Sequence, residues 1–316
     1  MTLNVLILAA GLGTRMKSEK SKVMHEILGK PILEYILNVS LSLSPSRTIL
    51  LVSPKQNDIK EKFQGRGLMF AIQQKQLGTG DAVKSAVLSV EKDAELMVLA
   101  GDVPMITSET LGKLYETHMK EKNGITFLTM VLQNPKGYGR VSRKNGKIAS
   151  IIEERDASEE IKKINEVNSG IYVFSYDFLS HGISMLDNNN AQKEYYLTDL
   201  VRIAHEKGIK TQTIIIEDYS EVSGINDRKQ LCEIERTMLD RRISDLMKSG
   251  VTIRNPLTVY IDDDVTIGAD VEICSNVVLK GKTVIKEKAF IGDFSFIRNG
   301  IIESGAIIKP HTVIDK

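Results

Sequence analysis

Ten hexads in succession close this 316-residue chain. Small or branched residues stand six apart at Val259, Val265, Val271, Val277, Thr283, Ala289 and Ser295. A large aliphatic follows two residues after each, at Ile261, Ile267, Ile273, Leu279, Ile285, Ile291 and Ile297. After a slip of one residue the pattern resumes as Gly300/Ile302, Ala306/Ile308 and Thr312/Ile314. Ordinary amphipathic strands repeat every two residues with irregular turns. A period of six held this long calls for a β-helix, whose stacked rungs bury what no single rung can. At three hexads per coil the tail supplies about three coils, near the minimum for a stable stack.

The chain before residue 226 has a different texture. Leu3–Ala10, Arg47–Ser53, Leu68–Ile72 and Glu95–Ala100 are short runs rich in Leu, Ile and Val that end in turn residues. Between them the spacing predicts helices over 31–43, 55–64, 79–91 and 108–122, with Thr79, Asp81 and Ser108 as N-terminal caps. Strand alternating with helix predicts an α/β fold, a mostly parallel sheet covered on both faces. Beyond residue 124 the order loosens, with strands near 125–132, 139–143, 147–153 and 168–174 and a helix near 195–207. Residues 227–249 read as one connecting helix, with Leu231, Ile234, Met238, Ile243 and Leu246 on its apolar side and Gly250 as its stop. The expected organisation is therefore a domain over 1–226, a linker helix over 227–250 and a repeat domain over 251–316.

Charge and composition narrow the function classes. Lys and Arg total 42 against 41 Asp and Glu, a formal charge of +1, which argues against nucleic acid or an anionic membrane as the main partner. No apolar run approaches the ~20 residues that span a bilayer. The opening Met1–Leu8 has no basic segment or cleavage signal and reads as a strand. Cys232 and Cys274 are too few for a disulfide framework or a zinc site. The cytoplasm is the expected location.

The first strand runs straight into Ala10-Gly11-Leu12-Gly13-Thr14-Arg15-Met16-Lys17. Glycines there let backbone N–H groups approach an anion closely. The loop lacks the G-K-[ST] of a Walker sequence, and it lacks the third glycine and following acidic residue of a dinucleotide fingerprint, so a dehydrogenase is excluded. Arg15 within the loop and Lys22 just after it place two cations beside a cradle of amides, an arrangement suited to a polyphosphate.

These residues resemble the opening of the sugar-nucleotide pyrophosphorylases: Leu8-Ala9-Ala10-Gly11-x-Gly13-Thr14-Arg15-Met16, Lys22-Val23-Met24-His25 and Gly29-Lys30-Pro31. The resemblance continues in order through Gln73, Gln76-Leu77-Gly78-Thr79-Gly80-Asp81-Ala82, Gly101-Asp102-Val103-Pro104, Gly137-Tyr138-Gly139-Arg140, Ile152-Glu153 and Asn168-Ser169-Gly170. It closes with Asn188-Asn189-Asn190-Ala191-Gln192, Glu194-Tyr195-Tyr196-Leu197-Thr198-Asp199 and Gly224-Ile225-Asn226. The chain is similar to the bacterial bifunctional N-acetylglucosamine-1-phosphate uridyltransferase/glucosamine-1-phosphate N-acetyltransferase family. That resemblance implies a Rossmann-like, glycosyltransferase A-like nucleotidyltransferase domain followed by a truncated left-handed parallel β-helix.

It also implies a reaction: UTP and N-acetylglucosamine 1-phosphate give UDP-N-acetylglucosamine and pyrophosphate, for cell-envelope precursors, by Mg²⁺-dependent in-line attack on the α-phosphate. By resemblance Arg15 and Lys22 are catalytic, Arg15 at the β/γ end of UTP and Lys22 bridging nucleotide and sugar phosphate. Asp102 and Asn226 are the implied Mg²⁺ ligands, although Asn226 also stands where it could cap the following helix. Leu8, Ala9, Ala10, Gly11, Ala100 and Gly101 line the nucleotide side; Gln73, Gly78 and Thr79 meet the uracil. A glutamine amide can offer the imide edge both a donor and an acceptor. Gly139, Glu153 and Asn168 hold the sugar's hydroxyls and acetamido group. Tyr195 and Tyr196 suit a closing loop or core packing equally.

Three departures from the family pattern touch this site: Ser21 where proline is usual, Leu12 where a basic residue is usual, and Ala100 where tyrosine is common. No acetyltransferase motif is present before Lys316, so that activity is expected to be absent, and the short β-helix is expected to hold a homotrimer. Two alternatives remain: a same-fold nucleotidyltransferase for another sugar 1-phosphate, and a non-catalytic trimeric scaffold. Retention of Arg15, Lys22, Asp102 and Asn226 together speaks against the scaffold.

Overall fold

The computed structural model describes residues 2–316. The chain forms two compact units, one made of the chain up to Met24 with Ile32–Gly224, the other of His25–Pro31 with Ile225–Lys316.

The first unit opens with β1 (Leu3–Leu8). The next two strands, β2 (Glu26–Ile27) and β3 (Lys30–Pro31), form a hairpin that belongs to the second unit. Back in the first unit come α1 (Ile32–Ser42), β4 (Arg47–Val52), α2 (Asn57–Phe63), β5 (Met69–Ile72), α3 (Thr79–Ala86) and β6 (Glu95–Ala100). Then follow α4 (Ser108–Glu121), β7 (Ile125–Val131), β8 (Arg140–Lys144), β9 (Lys147–Ile152) and β10 (Glu166–Phe174). The unit ends with α5 (Tyr176–Gly182), α6 (Asp199–Glu206) and β11 (Thr211–Ile215).

The main sheet runs β11-β7-β10-β6-β1-β4-β5, with β8 and β9 attached beside β10. Every pair along it is parallel except those of β10, which is antiparallel to both β6 and β7. Alternate residues of the same strand feed opposite cores: Leu6, Ile49 and Val98 on one face, Val5, Leu50 and Met97 on the other. Burial on both faces explains why these strands read as unbroken aliphatic runs.

Local differences from the sequence expectations have specific causes. The N-cap of α4 is Thr107, whose hydroxyl accepts from the Thr110 N–H at 3.1 Å, so the helix is capped one residue before Ser108. Gly78 precedes α3 with no side-chain cap, because Thr79 and Asp81 are engaged elsewhere: the Thr79 hydroxyl accepts from the Leu197 N–H at 3.1 Å and the Asp81 carboxylate from Gln73 at 2.8 Å. The helix expected from 195 begins only at Asp199, since the preceding residues are bonded into the site described below.

In the second unit, α7 (Arg228–Lys248) is capped by Asp227, which accepts from the Gln230 N–H at 2.9 Å; Asn226 is not the cap. Its buried residues are Ile234, Leu239 and Ile243, so Leu239 takes the inward place expected of Met238. Gly250, at φ 96°, turns the chain out of the helix. The hexads form three parallel sheets, four, four and three strands deep. Ile261 pairs with Leu279, Ile267 with Ile285 and Ile273 with Ile291, one coil being eighteen residues. After the one-residue slip, Ile285 pairs with Ile302, Ile291 with Ile308 and Ile297 with Ile314, a coil of seventeen. The repeat read from sequence is thus the pairing register of the solenoid.

Polar residues at the small position survive because their hydroxyls find carbonyls. Thr283 donates to Lys280 O at 2.7 Å and Ser295 to Gly292 O at 2.7 Å. Leu279 is fully buried in this stack. Leu279→Ala is expected to cost about 2–5 kcal/mol through lost transfer energy and a cavity, checked as a lower urea midpoint followed by circular dichroism.

Candidate functional site

The parallel pairing of β1 with β6 brings two loops to one edge of the sheet. Gly101 donates to the Leu8 carbonyl at 3.0 Å, and a Cβ on Gly101 would lie 2.9 Å from that oxygen, so only glycine fits. After β1 the glycine loop folds back on itself. Gly13 adopts φ 58°, and a Cβ there would meet the Lys22 Cβ at 2.7 Å. The loop therefore closes against Lys22, whose ammonium forms an ion pair with the Asp102 carboxylate. Both side chains remain partly open to solvent, at 16% and 19% exposure, so the pair can still exchange partners with a bound ligand.

A cavity of about 310 Å³ lies at this edge. Leu8, Ala9, Ala10 and Gly11 line it from the first loop, with Lys22, Ala100 and Asp102 beside them. Gln73, Gly78 and Thr79 complete another wall. Leu51, Gln76 and Glu194, to which the sequence alone assigns no role, also line it. Gln76 and Glu194 lie inside the quoted motifs; Leu51 is indistinguishable by sequence from any other core aliphatic. A larger cleft of about 780 Å³ opens where β6 begins rather than ends, beside Glu95, His118 and Phe178. None of the expected site residues reaches it.

Gln73 offers less than its residue type promised. Its Nε2 donates to the Asp81 carboxylate at 2.8 Å and to the Gly78 carbonyl at 3.2 Å. A carboxylate only accepts, so the amide nitrogen is fixed on that side and both its hydrogens are used. What remains is the carbonyl oxygen, an acceptor alone. It matches a ring N–H such as uracil N3–H and opposes the bare N3 of cytosine.

A second cluster is built from β8–β10 and the segment before α6. The Asn168 N–H donates to the Gly139 carbonyl at 2.9 Å. A Cβ placed on Gly139 would lie 3.5 Å from Glu153 Oε2, so these three residues adjoin. Glu153 Oε1 accepts from the Thr198 hydroxyl at 3.0 Å. The sequence alone does not single out Thr198; its hydroxyl faces a carboxylate just after β9 that only the fold brings near. Arg140, buried, secures the turn through an ion pair to Glu154 at 2.7 Å and a bond to the Tyr138 carbonyl.

The two clusters are tied together by backbone. Tyr195 donates to Leu77 O and accepts from Gly80 N–H, both at 2.7 Å, and a Cβ on Gly78 would strike Tyr195 O at 2.5 Å. Tyr196 has a buried ring and a bonded hydroxyl, which donates to Asp156 at 3.2 Å and accepts from Gln192 at 2.9 Å. Ala191 N–H also reaches Asp156 at 2.9 Å, so the Asn188–Thr198 segment is latched to the turn after Glu153.

Arg15 is exposed on the 3-10 turn Thr14–Met16 and does not line the cavity. Asn226 belongs to the second unit, where its N–H donates to the Gln230 side chain at 2.7 Å. Among the described residues no group of three or more His, Cys, Asp and Glu could by itself hold a metal. Asp102 nevertheless fits a hard divalent cation. It is a partly exposed carboxylate at the cavity, and Gly224 beside it brings no side chain, a Cβ there lying 3.6 Å from Asp102 Oδ1. A cation that takes one or two protein oxygens and completes its shell with phosphate and water needs no larger cage.

Burial raises the Glu153 carboxyl above the ordinary carboxylate range, and the charges of Asp156, Asp199 and Glu194 push the same way, against the Thr198 hydrogen bond. Between the unfolded and folded values the native state holds a proton the unfolded chain has lost, so stability falls as pH rises through that window. Above it, the cost of the buried charge is fully present. Glu153→Gln is therefore expected to raise the melting temperature at pH 7 and to leave it unchanged at pH 3.5, measured by scanning calorimetry at both.

Residues 4–222 match the nucleotidyl transferase family model. The bifunctional protein GlmU of Fervidobacterium nodosum is 46% identical over 266 residues, covering 84% of this chain and 57% of that protein. GlmU of Clostridioides difficile is 41% identical over 316 residues, covering 100% of this chain and 69% of its own length. The chain thus spans little more than half of the first of these relatives. Among solved structures, a putative glucose-1-phosphate thymidylyltransferase from Bacillus anthracis, in complex with a sucrose, aligns with a TM-score of 0.61 at 18% identity, covering 75% of this chain and 95% of that one. That likeness speaks to the fold alone. No helix among the described residues is long and apolar enough to cross a membrane. With most of its first unit matched by the family and its whole length aligned to a GlmU, the chain belongs to the nucleotidyl transferase family, on its GlmU branch.

Proposed function

We propose that the chain is a uridylyltransferase that makes UDP-N-acetylglucosamine and pyrophosphate from UTP and N-acetylglucosamine 1-phosphate. The observation that carries this reading is the single cavity in which glycine-loop amides, the Lys22–Asp102 pair and the acceptor-only Gln73 meet. The amides and Lys22 suit a polyphosphate, Gln73 suits uracil, and the adjoining Gly139–Glu153–Asn168 cluster suits a hydroxylated, acetamido-bearing sugar.

The chemistry asks little of a base, because the attacking sugar phosphate is already an anion. Its difficulty is charge: each like-charged pair at ~4 Å costs about 4 kcal/mol at an effective dielectric of 20. Lys22 answers this by moving its ammonium from Asp102 onto the meeting phosphates, and Arg15 by reaching the leaving pyrophosphate from the loop. Asp102, with Asn226 by resemblance, would hold Mg²⁺, which when bound supplies further neutralisation of the phosphate oxygens. The Gly11–Gly13 backbone then keeps the triphosphate in line with the incoming oxygen.

UTP and N-acetylglucosamine 1-phosphate are expected to release pyrophosphate in the presence of Mg²⁺ and not with EDTA, and Asp102→Ala is expected to abolish release while leaving the fold intact. Equal rates with glucose 1-phosphate would favour a different sugar. No release from folded protein with any sugar phosphate would favour the scaffold. The same reading includes a homotrimer, in keeping with exposed Phe294, Ile301, Ile307 and Val313 on the repeat. Sedimentation velocity is expected to give three times the mass of one 35.2 kDa chain.

A further inference from the structure

Asn168 and Tyr172 stand four residues apart on β10, a separation of about 13 Å along a regular strand. In this protein their side chains touch: Asn168 Nδ2 lies 2.6 Å from the Tyr172 hydroxyl. The pairing of β10 with β7 shifts register between these two residues, and Gly170, at φ 83°, forms the kink. The Gly170 N–H in turn donates to Asn168 Oδ1 at 3.1 Å. A backbone N–H can only donate, so it fixes which end of the amide is oxygen and leaves the nitrogen for Tyr172. Tyr172 itself cannot swing away. It is 2% exposed, with its ring 5.3 Å from that of Phe174 and 5.7 Å from that of Phe127. Burial, and the Glu153 charge to a lesser degree, also keep its phenol protonated.

We propose that Tyr172 is a positioning residue that immobilises the Asn168 amide in the flip state chosen by the Gly170 N–H, and so sets how the sugar pocket distinguishes an acetamido group from a hydroxyl. The inference rests on the reading of Asn168 as a contact to an N-acetylated sugar phosphate. With Oδ1 bound by Gly170 and one Nδ2 hydrogen bound by Tyr172, the amide presents one N–H and one lone pair in a fixed order. A carbonyl on the sugar can take the N–H only while that order holds. Without the phenol oxygen the amide nitrogen loses its buried acceptor, and the amide, anchored only at its oxygen by Gly170, loses its fixed orientation toward the sugar. The bulge, the glycine and the phenol thus act as one device on a residue none of them replaces.

Tyr172→Phe keeps the ring and removes the oxygen, so the test separates positioning from packing. The KM for N-acetylglucosamine 1-phosphate is expected to rise about five- to tenfold, the size of one lost hydrogen bond, with the KM for UTP unchanged. The ratio of kcat/KM between N-acetylglucosamine 1-phosphate and glucose 1-phosphate is expected to fall by a similar factor. In parallel, the side-chain amide of ¹⁵N-labelled Asn168, assigned by its loss in Asn168→Asp, is expected to show one slowly exchanging proton in the unaltered protein and none in Tyr172→Phe. Loss of that proton with sugar KM and selectivity unchanged would overturn the proposal. So would a uniform change in both KM values with lowered stability, the mark of a packing role. If the unaltered protein turns over no sugar phosphate at all, the assigned function fails and the selectivity role falls with it; the amide signal still reports whether the lock exists.

Discussion

Six parallel rungs between Leu3–Leu8 and Glu95–Ala100 carry the rest of the first unit. Because these two strands run the same way side by side, the loops that leave them emerge together, and the crevice beyond the carboxyl ends of such strands is where this class of sheet receives ligands. One loop brings amides and Lys22, the other brings Asp102. The glycines at 13 and 101 allow the backbone to come that close. Remove the pairing and there is no cavity, only two loops on separate strands.

The site then gains definition from groups that do not line it. Asp81 decides what Gln73 can offer, and Asp156 holds the segment that delivers Thr198 to Glu153. Amides are ambiguous recognisers until something pins them. Here the pins are a carboxylate in one case and a backbone N–H with a buried phenol in the other. Glu153 shows the opposing demand: burial disfavours the charge of its carboxylate, a cost of the kind that clusters at binding sites.

Much of this was legible in the residues, and the boundary has physical causes. The hexads reported the solenoid down to its one-residue slip, because each buried aliphatic must stack on the one a coil below. The strand from Glu95 to Ala100 was bounded correctly by its aliphatic run and the glycine after it. At Ser108 the sequence points one residue late, because Thr107 and Ser108 are equally good hydrogen-bond acceptors and only backbone geometry chooses between them. The sequence extends the helix too far before Asp199 because Tyr195–Thr198 are compatible with helix but are bonded to Leu77, Thr79, Gly80 and Glu153. The contributions of Thr198, Asp156 and Tyr172 were invisible for the same reason: each depends on a partner that only a turn, a latch or a bulge brings near.

The short hairpin of β2 and β3 has a consequence for how the chain comes to be folded. Its partners lie far downstream: Leu28 N–H bonds Glu235 across 207 residues, and Lys30 pairs with Asp263 across 233. A ribosome releases the hairpin early and its binding surface late, so during synthesis these few residues wait unpaired while the sheet around β1 and β4 can already assemble. Contacts of such long sequence separation form slowly. No single cut in the chain separates the two units, and a hairpin made near the beginning has partners synthesised more than 200 residues after it.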